Sequence, residues 1–215
     1  MKTNKKRITA TRTMLVACGL LICLFGCSSK EKGPLPFQIV FTSLYINESA
    51  VSEYGAILLN DIPELSIDGK APLFTSMIMG ETSNNPESGN FADPMMAMGS
   101  IMRLTTLIAN GDIDIIISDL DNAARNARGG LFLSLSDVCT DDDLAALGDR
   151  LLSFDILRND GYEPTPTGEK TPICGINITG NERIRRIFGN QEIGVFIVAN
   201  TKNLELARRV MVSLL

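Results

Sequence analysis

The chain has 215 residues, 45% of them hydrophobic and 21% charged, with a formal net charge of −5. That composition is globular, since disordered chains carry fewer apolar residues and more charge. There is no His and no Trp, which removes Ser-His-Asp and Cys-His catalysis and every His-ligated metal site.

The first 13 residues hold Lys2, Lys5, Lys6, Arg7 and Arg12 and no acid. An apolar run of 12 residues follows, from Met14 to Phe25. It is too short to cross about 30 Å of hydrocarbon, which needs about 20 residues, and it has the length of a signal-peptide apolar region. It ends in Leu24-Phe25-Gly26-Cys27-Ser28-Ser29. This arrangement resembles the signal of bacterial lipoproteins, in which the Cys is lipidated (palmitate among its acyl groups) and becomes the first mature residue. The resemblance implies a signal peptide over 1–26, a lipid on Cys27 and membrane attachment on the extracytoplasmic face. Residues 27–36 are polar with Gly and Pro and form a tether, and 37–215 make a single domain. Without residues 1–26, 15 Lys and Arg face 25 Asp and Glu, a net of −10. Such a surface is repelled by phosphate backbones, so no nucleic acid is expected as a partner. Of the five cysteines, Cys18 and Cys23 leave with the signal and Cys27 takes the lipid. Cys139 and Cys174 remain, either as a disulfide of an exported protein or as two free thiols.

Taken in order, residues 36–44 (PFQIVFTSL) read as a buried strand. Asn47 offers a helix N-cap, Val51, Tyr54 and Leu58 keep helical spacing, and Pro63 stops the helix. Residues 73–79 are strand-like, with 65–67 as a short companion. Residues 81–94 are turn formers and predict a long loop. Pro94 then opens a helix whose apolar face is traced by Met98, Ile101, Met102, Thr105 and Ile108, closed by Asn110-Gly111. Residues 112–119 (DIDIIISD) predict a central strand covered on both faces. A short helix over 122–128 ends at Gly129-Gly130. Residues 131–138 alternate as a strand does, and a helix begins at Thr140-Asp141-Asp142-Asp143 and runs to Leu151. Residues 159–168 are rich in turn formers. Strands at 173–179 and 193–199, separated by a short helix at 182–188, precede a last helix over 203–215. The expected fold is α/β, three layers (αβα) around a mixed, mostly parallel five-stranded sheet.

Several phrases in this order resemble the type II extracellular (periplasmic) solute-binding proteins of ABC transporters. They are the opening strand Phe37-Gln-Ile-Val-Phe41, the helix end at Asn60-Asp-Ile-Pro-Glu64, and the run from Ile108 to Asp119. The segments 130–138 and 194–207 complete the series. That family uses about twice this length in two lobes, so the resemblance implies a single lobe with a solute or a transporter as partner.

Ligands of open α/β sheets bind beyond the strands' carboxyl ends. This selects Thr42, Ser43, Ser118 and Asp119 as candidate ligand-binding residues. Asp112, Asp114, Asp119 and Asp121 make no calcium loop, because Asp112 and Asp119 stand about 20 Å apart along a strand. Asp141 to Asp143 suit the first turn of a helix. The Met-rich stretch is either core or an adaptable partner surface. No phosphate loop is present, Ser76 and Lys170 have no spacing that marks a catalytic pair, and no enzymatic activity, metal or cofactor is expected. Two functions follow as expectations. One is a lipid-anchored solute-binding-like protein. The other is a cell-surface protein-interaction scaffold built on the same lobe, with its apolar patch on the Met-bearing helix.

Overall fold

The computed structural model describes residues 35–79, 94–158 and 164–215. The signal peptide, Cys27, most of the tether and the loop at 81–93 lie outside the described residues. Among the described residues no helix is long and apolar enough to cross a membrane.

Strand β1 (Gln38–Ser43) is buried along its whole length, as its apolar run requires. Helix α1 (Glu48–Asp61) starts where the Asn47 side chain accepts from the Ala50 N–H, and it ends ahead of Pro63. Strand β2 (Leu73–Ile78) and helix α2 (Pro94–Asn110) lead to β3 (Ile115–Asp119). Helix α3 (Leu120–Arg128) follows without a break, capped by the Asp119 side chain. Helix α4 (Asp141–Leu147) opens on a reciprocal capping box between Thr140 and Asp143. Then come β4 (Leu151–Leu152), β5 (Asp155–Arg158), β6 (Thr165–Lys170) and β7 (Gly175–Asn177). Helix α5 (Glu182–Phe188), β8 (Ile193–Ile197) and helix α6 (Leu204–Ser213) complete the chain.

The class is α/β, with a mixed six-stranded sheet in the order β2–β1–β3–β8–β7–β4. Side chains alternate across it. Ile39, Phe41, Ile115, Ile117, Val195 and Ile197 join one apolar cluster, completed by residues of α1, α5 and α6. Val40, Ile116 and Phe196 join a second cluster, with Leu104 of α2 and Ala123 and Ala127 of α3. Each large side chain fully buried this way is worth about 1.5–3 kcal/mol. Pro36–Leu215 forms one compact unit with an apolar core on each face of its own sheet, the property of a unit that folds alone.

Four expectations are corrected. The sheet has six strands rather than five. β1 runs parallel to β2 and β3, but β3–β8, β8–β7 and β7–β4 are antiparallel, so the sheet is not mostly parallel. The link between β7 and β8 holds only the seven-residue α5 and returns the chain beside itself, where a parallel crossover would carry it past. Second, residues 131–138 are no strand: Phe132 makes a single bridge to Val198, and Leu135–Asp137 form a 3₁₀ turn. Third, α4 stops at Leu147, because Gly148 adopts φ +49° and leaves the helix. Fourth, residues 165–168, read as turn, belong to the strand β6, paired antiparallel with β5 in a separate two-stranded sheet.

Candidate functional site

Strands β1 and β3 end side by side, which brings the four residues chosen from the sequence together. They do not face solvent as a set. Thr42, Ser43 and Ser118 are fully buried. The Thr42 hydroxyl donates to Ser118 Oγ at 2.8 Å, and Ser118 Oγ donates to the Asp119 carbonyl at 2.9 Å. The Ser43 hydroxyl donates to Gln191 Oε1 at 2.6 Å, while Gln191 Nε2 donates to the Phe188 carbonyl at 2.9 Å. These hydroxyls are therefore internal fasteners, each with its hydrogen bond made within the fold. Such a group offers neither a free donor to a ligand nor a nucleophile beside a base.

Asp119 is half-buried and reaches further. Its Oδ1 accepts from the Asn122 N–H at 2.9 Å, the N-cap bond of α3, and its Oδ2 accepts from Asn122 Nδ2 at 2.8 Å. Asn122 Nδ2 also donates to the Met79 carbonyl at 3.1 Å, which ties the end of β2 to the start of α3. Above this network lies a cleft of about 240 Å³, lined by Asp119, Asp121, Arg125 and Glu192 over Leu44, Met79 and Leu120. Of the four residues chosen from sequence, Asp119 alone lines it.

The charged rim was missed for two reasons. Asp121 and Arg125 stand four apart on α3, a spacing that puts both on one helix face, but their helix points at the cleft only once β3 and α3 are joined without a loop. Gln191 and Glu192 precede β8. In the expected parallel sheet they would lie at the far end from Ser118. The antiparallel ladder instead sets Ile193 opposite Asp119, and Leu120 N–H donates to the Glu192 carbonyl at 3.2 Å.

Cys139 and Cys174 are both free thiols. Cys174 is buried in the cluster shared by α2 and α3, whereas Cys139 borders a cavity with Ile176 and Ile197 of the opposite cluster. The sheet stands between them, so the disulfide alternative is set aside. Burial pushes the Cys174 thiol up to about 11 and raises that of Cys139 as well, so both stay protonated at neutral pH.

The apolar face traced along the Met-rich helix α2 by Met98, Ile101 and Met102 points outward. Ala97 and Leu104 face inward, while Met95 (84%), Met98 (61%) and Met102 (65%) are exposed. Met77 and Met79 of the same stretch are buried core. Ser76 donates to Glu48 Oε2 at 3.0 Å and Lys170 lies on β6, in the other sheet. Compared with known proteins, the chain matches no family model, no curated protein and no solved structure.

Proposed function

We propose that the chain is a lipid-anchored extracytoplasmic protein whose three-layer lobe, similar to half of a solute-binding protein, holds a small polar solute in the cleft beyond β1, β2 and β3. The observation that carries this reading is the cleft's lining, in which three carboxylates and one guanidinium surround an apolar floor. Position supports it too, since crevices at strand carboxyl ends are where α/β sheets take ligands. The excess of acid favours a cationic or zwitterionic solute. Binding is preferred to catalysis because the chain has no His and the nearby hydroxyls are spent within the fold, Thr42 on Ser118 and Ser43 on Gln191.

The test is a thermal-shift and calorimetric screen of Pro36–Leu215 against amino acids, polyamines, sugars and short peptides. A solute present at 100 times its dissociation constant adds about 2.7 kcal/mol to stability. An amine-bearing class should raise the melting temperature, and Arg125→Ala or Asp121→Ala, both exposed, should remove the shift while leaving the unliganded fold intact. Absence of any shift across all classes overturns the reading. The anchor has its own measurement: Cys27→Ala in the full chain should move the protein from the membrane to the soluble extracytoplasmic fraction.

A second reading is favoured by one observation. The outer face of α2 presents three exposed methionines beside Ile101, which is 38% exposed. Thioether side chains suit adaptable protein contacts, as expected of a cell-surface interaction scaffold. Replacing Met98 and Met102 by Lys would leave solute binding unchanged and abolish partner docking if the scaffold reading holds.

A further inference from the structure

Between α4, α6 and the sheet lies a second cavity, larger than the cleft at about 320 Å³. Its lining is of another character. Ile176 and Ile197 form the floor, and Leu147, Met211 and Val212 form walls. Val212 and Leu215, 59% and 49% exposed, also line it. Arg150 and Arg208 stand at the same cavity.

Neither guanidinium is used up. Arg150 donates through Nε to the Asn177 carbonyl at 3.2 Å, which fixes the side chain and leaves its two terminal nitrogens. Arg208 lies 3.5 Å from Asp143. That carboxylate is already engaged by its capping box, accepting from Thr140 N–H at 3.0 Å and from the Thr140 hydroxyl at 2.8 Å. These hydrogen bonds hold the Asp143 carboxyl below its ordinary range, so among the lining side chains one negative charge faces two positive ones. The cavity is thus an apolar chamber with two guanidinium side chains against one carboxylate side chain at its rim, in a chain whose overall charge is negative.

We propose that this cavity binds a single-chain amphiphile with a small anionic head, its alkyl chain against Ile176, Ile197, Met211 and Val212 and its head on Arg150 and Arg208. Apolar enclosure with a few placed polar groups is the usual make-up of small-molecule sites. A guanidinium fork matches a carboxylate in two parallel hydrogen bonds, which supplies the head-group preference. The site lies on the α6 side of the sheet, apart from the cleft, and stands or falls independently of it.

Cys139 supplies a built-in reporter. It is half-buried at the cavity, whereas Cys174 is buried in the opposite cluster. Decanoate, 1-decanol and acetate would be titrated calorimetrically into Pro36–Leu215 carrying Cys174→Ala. In parallel, the rate of Cys139 alkylation by iodoacetamide would be followed at pH 9. Decanoate should bind saturably and slow the alkylation, decanol should bind about tenfold more weakly, and acetate should show no binding. The Arg150→Gln, Arg208→Gln double variant should bind decanoate and decanol alike. Three results overturn the proposal: no saturable binding of decanoate, binding that leaves the Cys139 rate unchanged, or equal affinity of the unsubstituted rim for decanoate and decanol. The last comparison needs no rim variant, so a misfolded double variant leaves the proposal falsifiable.

Discussion

Asp114 is 4% exposed, although its place ahead of an apolar strand reads as a solvated strand end. Its Oδ2 accepts from the Gln38 N–H at 2.9 Å, and its Oδ1 accepts from the Thr201 hydroxyl at 2.5 Å and from Asn203 Nδ2 at 3.1 Å. One carboxylate therefore fastens the start of β1 to the turn that leaves β8, at the end of the sheet opposite the cleft. Partners 76 to 89 residues away cannot be seen in the local pattern Asp-Ile-Asp, where Asp112 and Asp114 look equivalent. Charge-assisted hydrogen bonds are worth about 1.5–3 kcal/mol, and a buried donor left unpaired costs more. Asp114→Ala should therefore lower the unfolding free energy by about 3 kcal/mol, with the slope of a guanidinium titration unchanged. A loss below about 1 kcal/mol, the scale of an ordinary hydrogen bond, would mean that the carboxylate does not hold these strands together. Thr42, Ser43 and Ser118 teach the same lesson from the other side. Their position at the strand ends was legible from local pattern, but their hydrogen-bond partners, Ser118 for Thr42, Gln191 for Ser43 and the Asp119 carbonyl for Ser118, were not.

At the scale of elements, strands with continuous apolar runs and helices with good caps were legible. β1, β3 and β8, together with α1 behind Asn47 and α4 behind Thr140, stand where composition and capping place them. Two elements were misread because a neighbour changed the rule. β6 contains Pro166 opposite Leu157, and Pro is tolerated in a strand whose outer edge is free. The face of α2 was chosen by helical spacing through Met98, Ile101, Met102, Thr105 and Ile108, yet the small Ala97 and the branched Leu104 are what the sheet accepts. Packing of another kind governs β7 and β8. The Phe196 ring stacks on Phe132 with centroids 4.4 Å apart, and Phe154 lies 6.2 Å away. It lies over Gly175, its ladder partner, and over Gly194 on its own strand. A Cβ at Gly175 would sit 2.2 Å from Phe196 Cε1, and one at Gly194 would sit 2.5 Å from Cζ. The ring is held by two other aromatics and has little room to retreat, so overpacking should cost about 1–3 kcal/mol in Gly175→Ala. Phe196→Leu in that background should recover part of the loss, giving a favourable coupling in a double-mutant cycle. Strict additivity would show that the ring does yield.

For the whole molecule, the α/β class follows from alternating segments, but the direction of β8 does not. A link of 15 residues between Asn177 and Ile193 can return a strand either way, and the hydrophobic run of a central strand is the same in both directions. That ambiguity hid the rim of the cleft, because only an antiparallel β8 brings Glu192 to Asp119. Charge, by contrast, is legible without any fold. Residues 36–215 carry 13 Lys and Arg against 24 Asp and Glu. The ion pairs Arg183–Asp61, Arg208–Asp143 and Arg209–Glu64 lie at 3.2–3.6 Å with every partner 40–57% exposed. Exposed pairs of this kind contribute about 0–1 kcal/mol each. Salt weakens them, but it also screens the self-repulsion of the excess acid, whose range shrinks from about 30 Å at 0.01 M to about 10 Å at 0.1 M. Because carboxylates outnumber Lys and Arg by 24 to 13 over residues 36–215, the second effect should win. Raising sodium chloride from 0.01 M to 0.1 M should stabilise Pro36–Leu215 by about 1 kcal/mol, a rise of roughly 2–4 °C in melting temperature. A fall over that range would assign the balance to the ion pairs. The surface acids would then have to be spread widely enough not to oppose one another, and the positive rim formed by Arg150 and Arg208 would be no exception to its surroundings.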